Sequence, residues 1–196
     1  MRFAPGAFKF AALPLLGAVP AFFISPGVGF LLLAVGVAIL AFFRDPERTP
    51  PPSGVVSPAD GKVSVLRMEG DRVRVGVFMN VHDVHVNRAP LGGQIEAVEH
   101  EPGGHYPAFS KDSDQNERVR VRFPDHDVTL IAGAFARRIT PYVESGETVD
   151  RGERIGHIAF GSRADVLLPP RFDRDDVAVD IGDRVRAGET TIAEAE

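Results

Sequence analysis

Hydrophobic positions divide this chain into two unlike parts. No charged residue interrupts positions 10 to 43, between Lys9 and Arg44. Within that run Val28–Phe43 is apolar on every side, which suits a helix in a non-aqueous environment better than one face of a soluble core. At 1.5 Å per residue this stretch spans roughly 24 Å, against a bilayer core of ~30 Å, and Ser25–Gly27 would bring it close to span length. Pro14, Pro20 and Ser25-Pro26-Gly27 break the run. Two arrangements fit: a hairpin, with Phe10–Ile24 going in and Val28–Phe43 coming back, or a single span. Arg2 and Lys9 flank one end and Arg44 and Arg48 the other, a distribution that puts both ends in the cytoplasm and favours the hairpin. Phe42-Phe43-Arg44-Asp45 lacks the small residues of a leader-peptide cleavage site.

Past the run the period changes. Residues 44–53 are charged and then proline-rich, a composition that cannot continue a helix and reads as a spacer. From Gly54 on, apolar and polar residues alternate in short stretches punctuated by Gly, Pro and Asp. The alternation predicts strands over Lys62–Met68, Arg72–Phe78, Gly93–Glu99, Arg118–Phe123, Val128–Ala134, Arg154–Ala159 and Asp176–Val179. No helical period longer than about two turns competes with them. The expectation is a mainly β, compact antiparallel domain over 54–196, preceded by a helical membrane anchor over 1–43.

One octet recurs. Gly146-Glu147-Thr148-Val149-Asp150-Arg151-Gly152-Glu153 matches Gly182-Asp183-Arg184-Val185-Arg186-Ala187-Gly188-Glu189 at Gly, Val, Gly and Glu. The pattern predicts two tight corners with glycine at positive φ and a valine aimed at the core. Such turns resemble those of the barrel-sandwich fold of biotinyl and lipoyl carriers. Two unrelated β-turns would give the same string.

Composition narrows the chemistry. The chain of 196 residues suits one domain and an appendage, and 44% hydrophobic residues exclude global disorder. A net charge of −5 speaks against nucleic acid as a partner. Without cysteine there is no disulfide, thiolate catalyst or zinc–thiolate site.

Four clusters could carry chemistry. Ser57-Pro58-Ala59-Asp60-Gly61 reads alone as a turn feeding a strand. In Phe78–Pro90, His82-x-x-His85 admits a metal pair, a satisfied or surface pair, or acid–base use of one ring. On a continuous strand residues three apart face opposite sides, which opposes the metal. Gly103–Phe109, with the polar residues through Arg118, reads as a long loop with an aromatic tip, either lying over a site or merely solvated. In Ile155–Pro169 a strand runs into Gly161-Ser162 and another leaves it. Gly-Ser is usually a turn, and the second glycine of a hydrolase nucleophile elbow is missing. What Gly-Ser permits is intramolecular attack, because glycine is the least hindered acyl donor.

Taken in order, Phe42-Phe43-Arg44-Asp45-Pro46, Ser57-Pro58-Ala59-Asp60-Gly61, Asp83-Val84-His85-Val86-Asn87-Arg88-Ala89-Pro90, Asn116-Glu117-Arg118 and Gly152-Glu153-x-Ile155-Gly156 with Phe160-Gly161-Ser162 resemble the short, archaeal-type form of the phosphatidylserine decarboxylase family. The resemblance runs from about Phe42 to about Pro169. It implies a proenzyme that cuts itself between Gly161 and Ser162 into a large chain, 1–161, and a small chain, 162–196, whose first residue becomes a pyruvoyl group. That carbonyl, condensed with the substrate amine, would take up the electron pair left when CO₂ departs. The resemblance makes Ser162 nucleophile and cofactor precursor, Asp60 a group that orients or assists the base, and His85 the base and proton handler. Arg88, Arg118, Asn116 and His82 become substrate contacts, the arginines suiting phosphate oxygens, and no metal is implied. Longer family members carry a second His where this chain has Arg88, so the base falls to His85 or to His82.

The implied activity is decarboxylation of phosphatidylserine to phosphatidylethanolamine at the cytoplasmic face of the cell membrane, the partners being the phospholipid, the membrane and the two chains of one precursor. An ether-linked archaetidylserine would present the same head group, and a homo-oligomer is compatible with the sequence. The rival readings are a membrane-tethered carrier or binding module, opposed by Lys62 and Lys111 lying outside the repeated turns, and a tethered structural β protein.

Overall fold

A computed structural model of the chain describes residues 2–104, 106, 115–133, 139–159 and 162–194. Gly161 of the expected cleavage site, Phe160, Ala134 and, in the polar loop, His105 and residues 107–114 lie outside the described residues. The chain forms two compact units, Met1–Glu47 and Arg48–Glu196.

In the first unit, strand β1 (Arg2–Phe3), helix α1 (Ala7–Ile24), helix α2 (Pro26–Phe42) and strand β2 (Arg44–Asp45) follow one another. The helices are antiparallel. A Cβ on Gly29 would lie 2.6 Å from Phe22, one on Gly17 would touch Leu32, and one on Gly36 would collide with Leu15. Small residues at these crossings let the two backbones approach closely. Pro14 and Pro20 lie inside α1 without ending it, so the first arm of the hairpin is one helix. Each removes one intrahelical hydrogen bond, and the apolar residues around them sustain the rest of the ladder. The turn is confined to Ser25, because Pro26 takes the first helical position, where its missing N–H costs nothing. β1 pairs with β2, so the chain leaves the hairpin where it entered.

The second unit is antiparallel β. Its strands are β3 (Val55–Val56), β4 (Gly61–Glu69), β5 (Arg72–Met79), β6 (Val86–Arg88), β7 (Gly93–Gln94), β8 (Ala97–Glu101), β9 (Arg118–Arg122), β10 (Asp127–Ala132), β11 (Ile139–Pro141), β12 (Thr148–Val149), β13 (Arg154–Ile158), β14 (Ser162–Leu167), β15 (Arg184–Val185) and β16 (Thr191–Ala193). Seven form one sheet in the order β15-β4-β5-β14-β10-β9-β8, and β11-β13-β6 form a second. The alternation sets the faces: in β5, Val73, Val75, Val77 and Met79 are fully buried, while Arg72, Arg74 and Phe78 are not. Ile139, Ile155 and Ile158 of the smaller sheet join the same core.

Two expectations change in the structure. Asp176–Val179 is not a strand, keeping only the bridge Val177–Ala193. Asp176 accepts a hydrogen bond from the Asp173 N–H at 2.7 Å, which curls the segment into a turn. The stretch expected as one strand over Gly93–Glu99 splits at Ile95-Glu96 into β7 and β8. Within the second unit Arg151 donates to the carbonyls of Gly54 (2.8 Å) and Pro51, and a Cβ on Gly152 would collide with Pro50.

The repeated octets are equivalent corners. Gly146, Gly152, Gly182 and Gly188 all have positive φ, and Val149 and Val185 are buried. Gly152 N–H donates to Ala89 and Gly188 N–H to Ser57, at 2.8 and 2.9 Å. Val149 pairs with Gly93, and Val185 with Gly61.

Candidate active site

Ser162 opens β14 at the centre of the large sheet, in register with Met79 on one side and Ala132 on the other. It is fully buried. Among the described residues the hydrogen-bond partner of its Oγ is the Met79 thioether sulfur, at 3.9 Å. A hydroxyl held only by a weak acceptor keeps its lone pairs for other use.

The other motifs converge on Met79 and Ala132. Asn87, also fully buried, directs its amide N–H groups to Met79 Sδ (3.5 Å) and to the Pro58 carbonyl (3.4 Å), joining the second cluster to the first. Its Oδ1 is buried without a hydrogen-bond partner among the described residues. Gly61 packs so closely on β5 that a Cβ would collide with the Phe78 carbonyl oxygen and lie 3.3 Å from Met79 Cα. Asp60 is thereby brought one strand away from the partner of Ser162. Asn116, from the third cluster, donates to the Ala132 carbonyl at 2.7 Å.

His82 and His85 separate. β5 ends at Met79, and Asp83 closes a turn by accepting the Asn80 N–H at 2.8 Å. His82 is exposed on this turn, with Nε2 3.7 Å from Asp83 Oδ1. His85 is buried; its Nδ1 donates to the Asp83 carbonyl at 3.0 Å, and its own carbonyl accepts the Ile158 N–H at the end of β13. A carbonyl can only accept, so this bond puts the neutral ring's proton on Nδ1 and its basic lone pair on Nε2. The turn, rather than strand alternation, sets the two rings apart.

Asp60 meets Arg48 and a backbone N–H rather than His85. Its Oδ2 accepts from Arg48 Nη2 at 2.8 Å and its Oδ1 from the Ala187 N–H at 2.8 Å. Arg48 also donates to Glu189 at 2.6 Å. Burial pushes the Asp60 carboxyl above its ordinary value, the Ala187 N–H and the Arg48 charge pull it down, and Asp83 pushes it up again. Asp60, Asp83 and Glu189 border a cleft of about 530 Å³ that Arg184 and Arg186 also line.

Arg88, Asn116 and Arg118 also have partners within the fold. Arg88 is buried between the two corners and donates to the Gly152 carbonyl at 2.7 Å. Asn116 uses its whole amide: Oδ1 accepts the Tyr106 N–H, and Nδ2 donates to the Tyr106 and Ala132 carbonyls, each at 2.7 Å. Arg118 is in register with Ile131, which is in register with Arg163. That row faces the side of the sheet opposite the Ser162 row. There Arg118 lines a cleft of about 390 Å³ with Arg67, Arg74 and Arg120.

Sequence reasoning missed Arg48, Asn87 and the Tyr142–His157 pair. The Tyr142 hydroxyl lies 2.9 Å from His157 Nδ1, and burial lowers the affinity of that ring for a proton. The only local signal for Asn87 was its place in the His85–Pro90 motif. No group of three or more His, Asp or Glu among the described residues is placed to share a metal ion.

Comparison with known proteins points one way. A family model described as phosphatidylserine decarboxylase matches residues 36–193. A protein named "Putative archaetidylserine decarboxylase proenzyme" from Halobacterium salinarum is 58% identical over 190 residues, covering 96% of this chain and 97% of its own. Proteins named phosphatidylserine decarboxylase proenzyme from Thermobifida fusca and Streptomyces griseus are 52% and 50% identical over 82% and 81% of this chain and 77% and 75% of theirs.

Proposed function

The chain belongs to the phosphatidylserine decarboxylase family and is a carboxy-lyase; from this we propose that it is the precursor of a pyruvoyl-dependent enzyme that removes CO₂ from the head group of a serine phospholipid. The observation that carries the proposal is the Ser162 hydroxyl, buried in the middle of the sheet with a thioether as its described partner. An Oγ left so weakly bound suits attack on the preceding carbonyl. The Asn87 Oδ1 next to Met79 leaves an unused hydrogen-bond acceptor in the same place, which fits a donor such as the substrate amine.

In processing, Ser162 Oγ bonds to the Gly161 carbonyl carbon, the Gly161–Ser162 amide bond breaks, and the nitrogen takes a proton to become an amine. A base then removes the Ser162 α-proton, and Gly161 leaves as a carboxylate, ending the large chain. Water displaces the nitrogen of the resulting dehydroalanine as ammonia, and residue 162 becomes the pyruvoyl terminus of the small chain. His85 is the base, its tautomer fixed by the Asp83 carbonyl. Asp60 assists as a fixed negative charge. When formed, the pyruvoyl group supplies the electron sink that decarboxylation of an amino acid requires. His85 then returns the proton.

The hairpin is the membrane anchor. α1 has the length and apolarity to cross a bilayer, and Phe8, Leu13, Phe23 and Ile24 stand more than two-thirds exposed. Arg2 and Arg44 share one end of the hairpin, the cytoplasmic one. The chemistry concerns the head group alone, so phosphatidylserine and archaetidylserine are both substrates.

A denaturing gel and a lipid assay test this. Wild type yields fragments of residues 1–161 and 162–196 and releases CO₂ from vesicles of either lipid. Ser162→Ala stays full length and inactive. Cleavage of Ser162→Ala at the same bond would overturn the proposal.

A further inference from the structure

We propose that Arg48 is a positioning residue for self-processing, holding Asp60 in place and in its charged form. Arg48 acts through that carboxylate and does not touch the reacting atoms. The inference rests on the reading above that Asp60 assists cleavage.

The geometry is specific. Arg48 begins the β unit, and its side chain is only 9% exposed. One guanidinium bridges two carboxylates, Asp60 at 2.8 Å and Glu189 at 2.6 Å, which come from opposite ends of the unit. The charged groups facing Asp60 are Arg48, Asp83 and Glu189, with Arg184 and Arg186 lining the same cleft. Arg186 reaches Glu189 at only 3.9 Å and is largely exposed, so solvent screens it. Among the described residues Arg48 is therefore the buried cation paired with two of these three carboxylates. Burial and Asp83 already raise the Asp60 carboxyl, and Arg48 is among the groups opposing that rise.

Removing the guanidinium leaves burial and like charges unopposed, so Asp60 takes up a proton at higher pH. If cleavage needs charged Asp60, its rate falls as pH drops through the Asp60 pKa, and loss of Arg48 moves that fall to higher pH. A lysine keeps the charge but lacks the fork that reaches both carboxylates, so it restores the profile in part.

Full-length chain is made by cell-free synthesis into lipid nanodiscs with a pulse of labelled methionine. Met1, Met68 and Met79 all precede Ser162, so the label follows shortening to residue 161. Cleavage rates are read between about pH 5 and about pH 9. Arg48→Met should cleave at least ~10-fold more slowly than wild type at about pH 6, yet within ~3-fold of it at about pH 9. Arg48→Lys should lie between, and its intermediate profile separates positioning from misfolding. A uniform loss at every pH in both variants, or a wild-type profile in Arg48→Met, overturns the inference. Asp60→Asn tells the two failures apart. Normal cleavage there removes the role of Asp60 and the inference with it, whereas dead Asp60→Asn beside wild-type-like Arg48→Met removes the inference alone.

Discussion

The two glycine corners have nearly the same backbone and different duties. Each receives a Pro-x-x-Gly segment: Pro90-Leu91-Gly92-Gly93 at the 146–153 corner, Pro58-Ala59-Asp60-Gly61 at the 182–189 corner. The segments bond reciprocally, Arg88 N–H to Pro58 and Val56 N–H to Pro90. Glu147 and Asp183 cap equivalent N–H groups, those of Glu144 and Asp180. Among the differences between the copies, two bear on Asp60. Gly92 in one is Asp60 in the other. Glu153 caps the Asp150 N–H of its own corner, whereas Glu189 reaches Arg48 and Thr190 takes over the cap of Arg186. A repeated scaffold thus supplies the shape twice, and one copy carries the Asp60 carboxylate and its Arg48 partner.

The largest effect should come from erasing that difference. Asp60→Gly makes Pro58–Gly61 resemble its counterpart Pro90–Gly93. Cleavage should fall at least ~100-fold, the lower range for loss of an acid–base group or its support. Thermal unfolding should still show one cooperative transition. Normal cleavage in Asp60→Gly would break the comparison, since the divergent position would then carry no chemistry.

The shared shape comes next. At Gly152 an alanine meets both positive φ and Pro50, so Gly152→Ala should cost about 1–3 kcal/mol in urea unfolding. Gly146 and Gly182 have open space around the missing Cβ, so only the backbone opposes their substitution, by about 1 kcal/mol. Equal losses at all three would mean that crowding plays no part.

The glutamates sharpen the contrast. Glu153→Ala removes a cap and should cost about 0.5–1.5 kcal/mol with cleavage unchanged. Glu189→Ala should alter the pH profile of cleavage, because Arg48 then serves Asp60 alone.

These features were unequally legible in the sequence. The Val alternation of Arg118–Arg122 and the Gly-x-x-Val-x-x-Gly octets announce themselves, since strand period and positive φ are local requirements. Arg48 was hidden in what reads as a spacer, because nothing local encodes a pairing between positions 48 and 189. Strand alternation predicts opposite faces for His82 and His85, whereas in the structure the Asp83 turn parts them. Arg88 and Asn116 also bond carbonyls of the fold, pairings that only tertiary packing sets and no local pattern announces.

The smallest predicted effect lies outside both corners. Burial lowers the proton affinity of His126 and His157 below their ordinary value of 6.5. Below that pH the unfolded chain binds protons that the folded chain refuses, so stability should decline as pH falls from 6.5 toward the folded values. His157→Phe should flatten part of that slope in thermal melts, without moving the pH dependence of cleavage. Movement of both together would tie His157 to the site.

The account depends most on what residue 162 becomes. Intact mass spectrometry of the denatured wild-type protein addresses it directly. The prediction is a small chain of residues 162–196, about 17 Da lighter than the peptide with a free serine, corresponding to loss of ammonia in forming the pyruvoyl terminus. An enzymatically active preparation containing only the uncut 196-residue chain, or a small chain that begins with an unmodified serine, would contradict it.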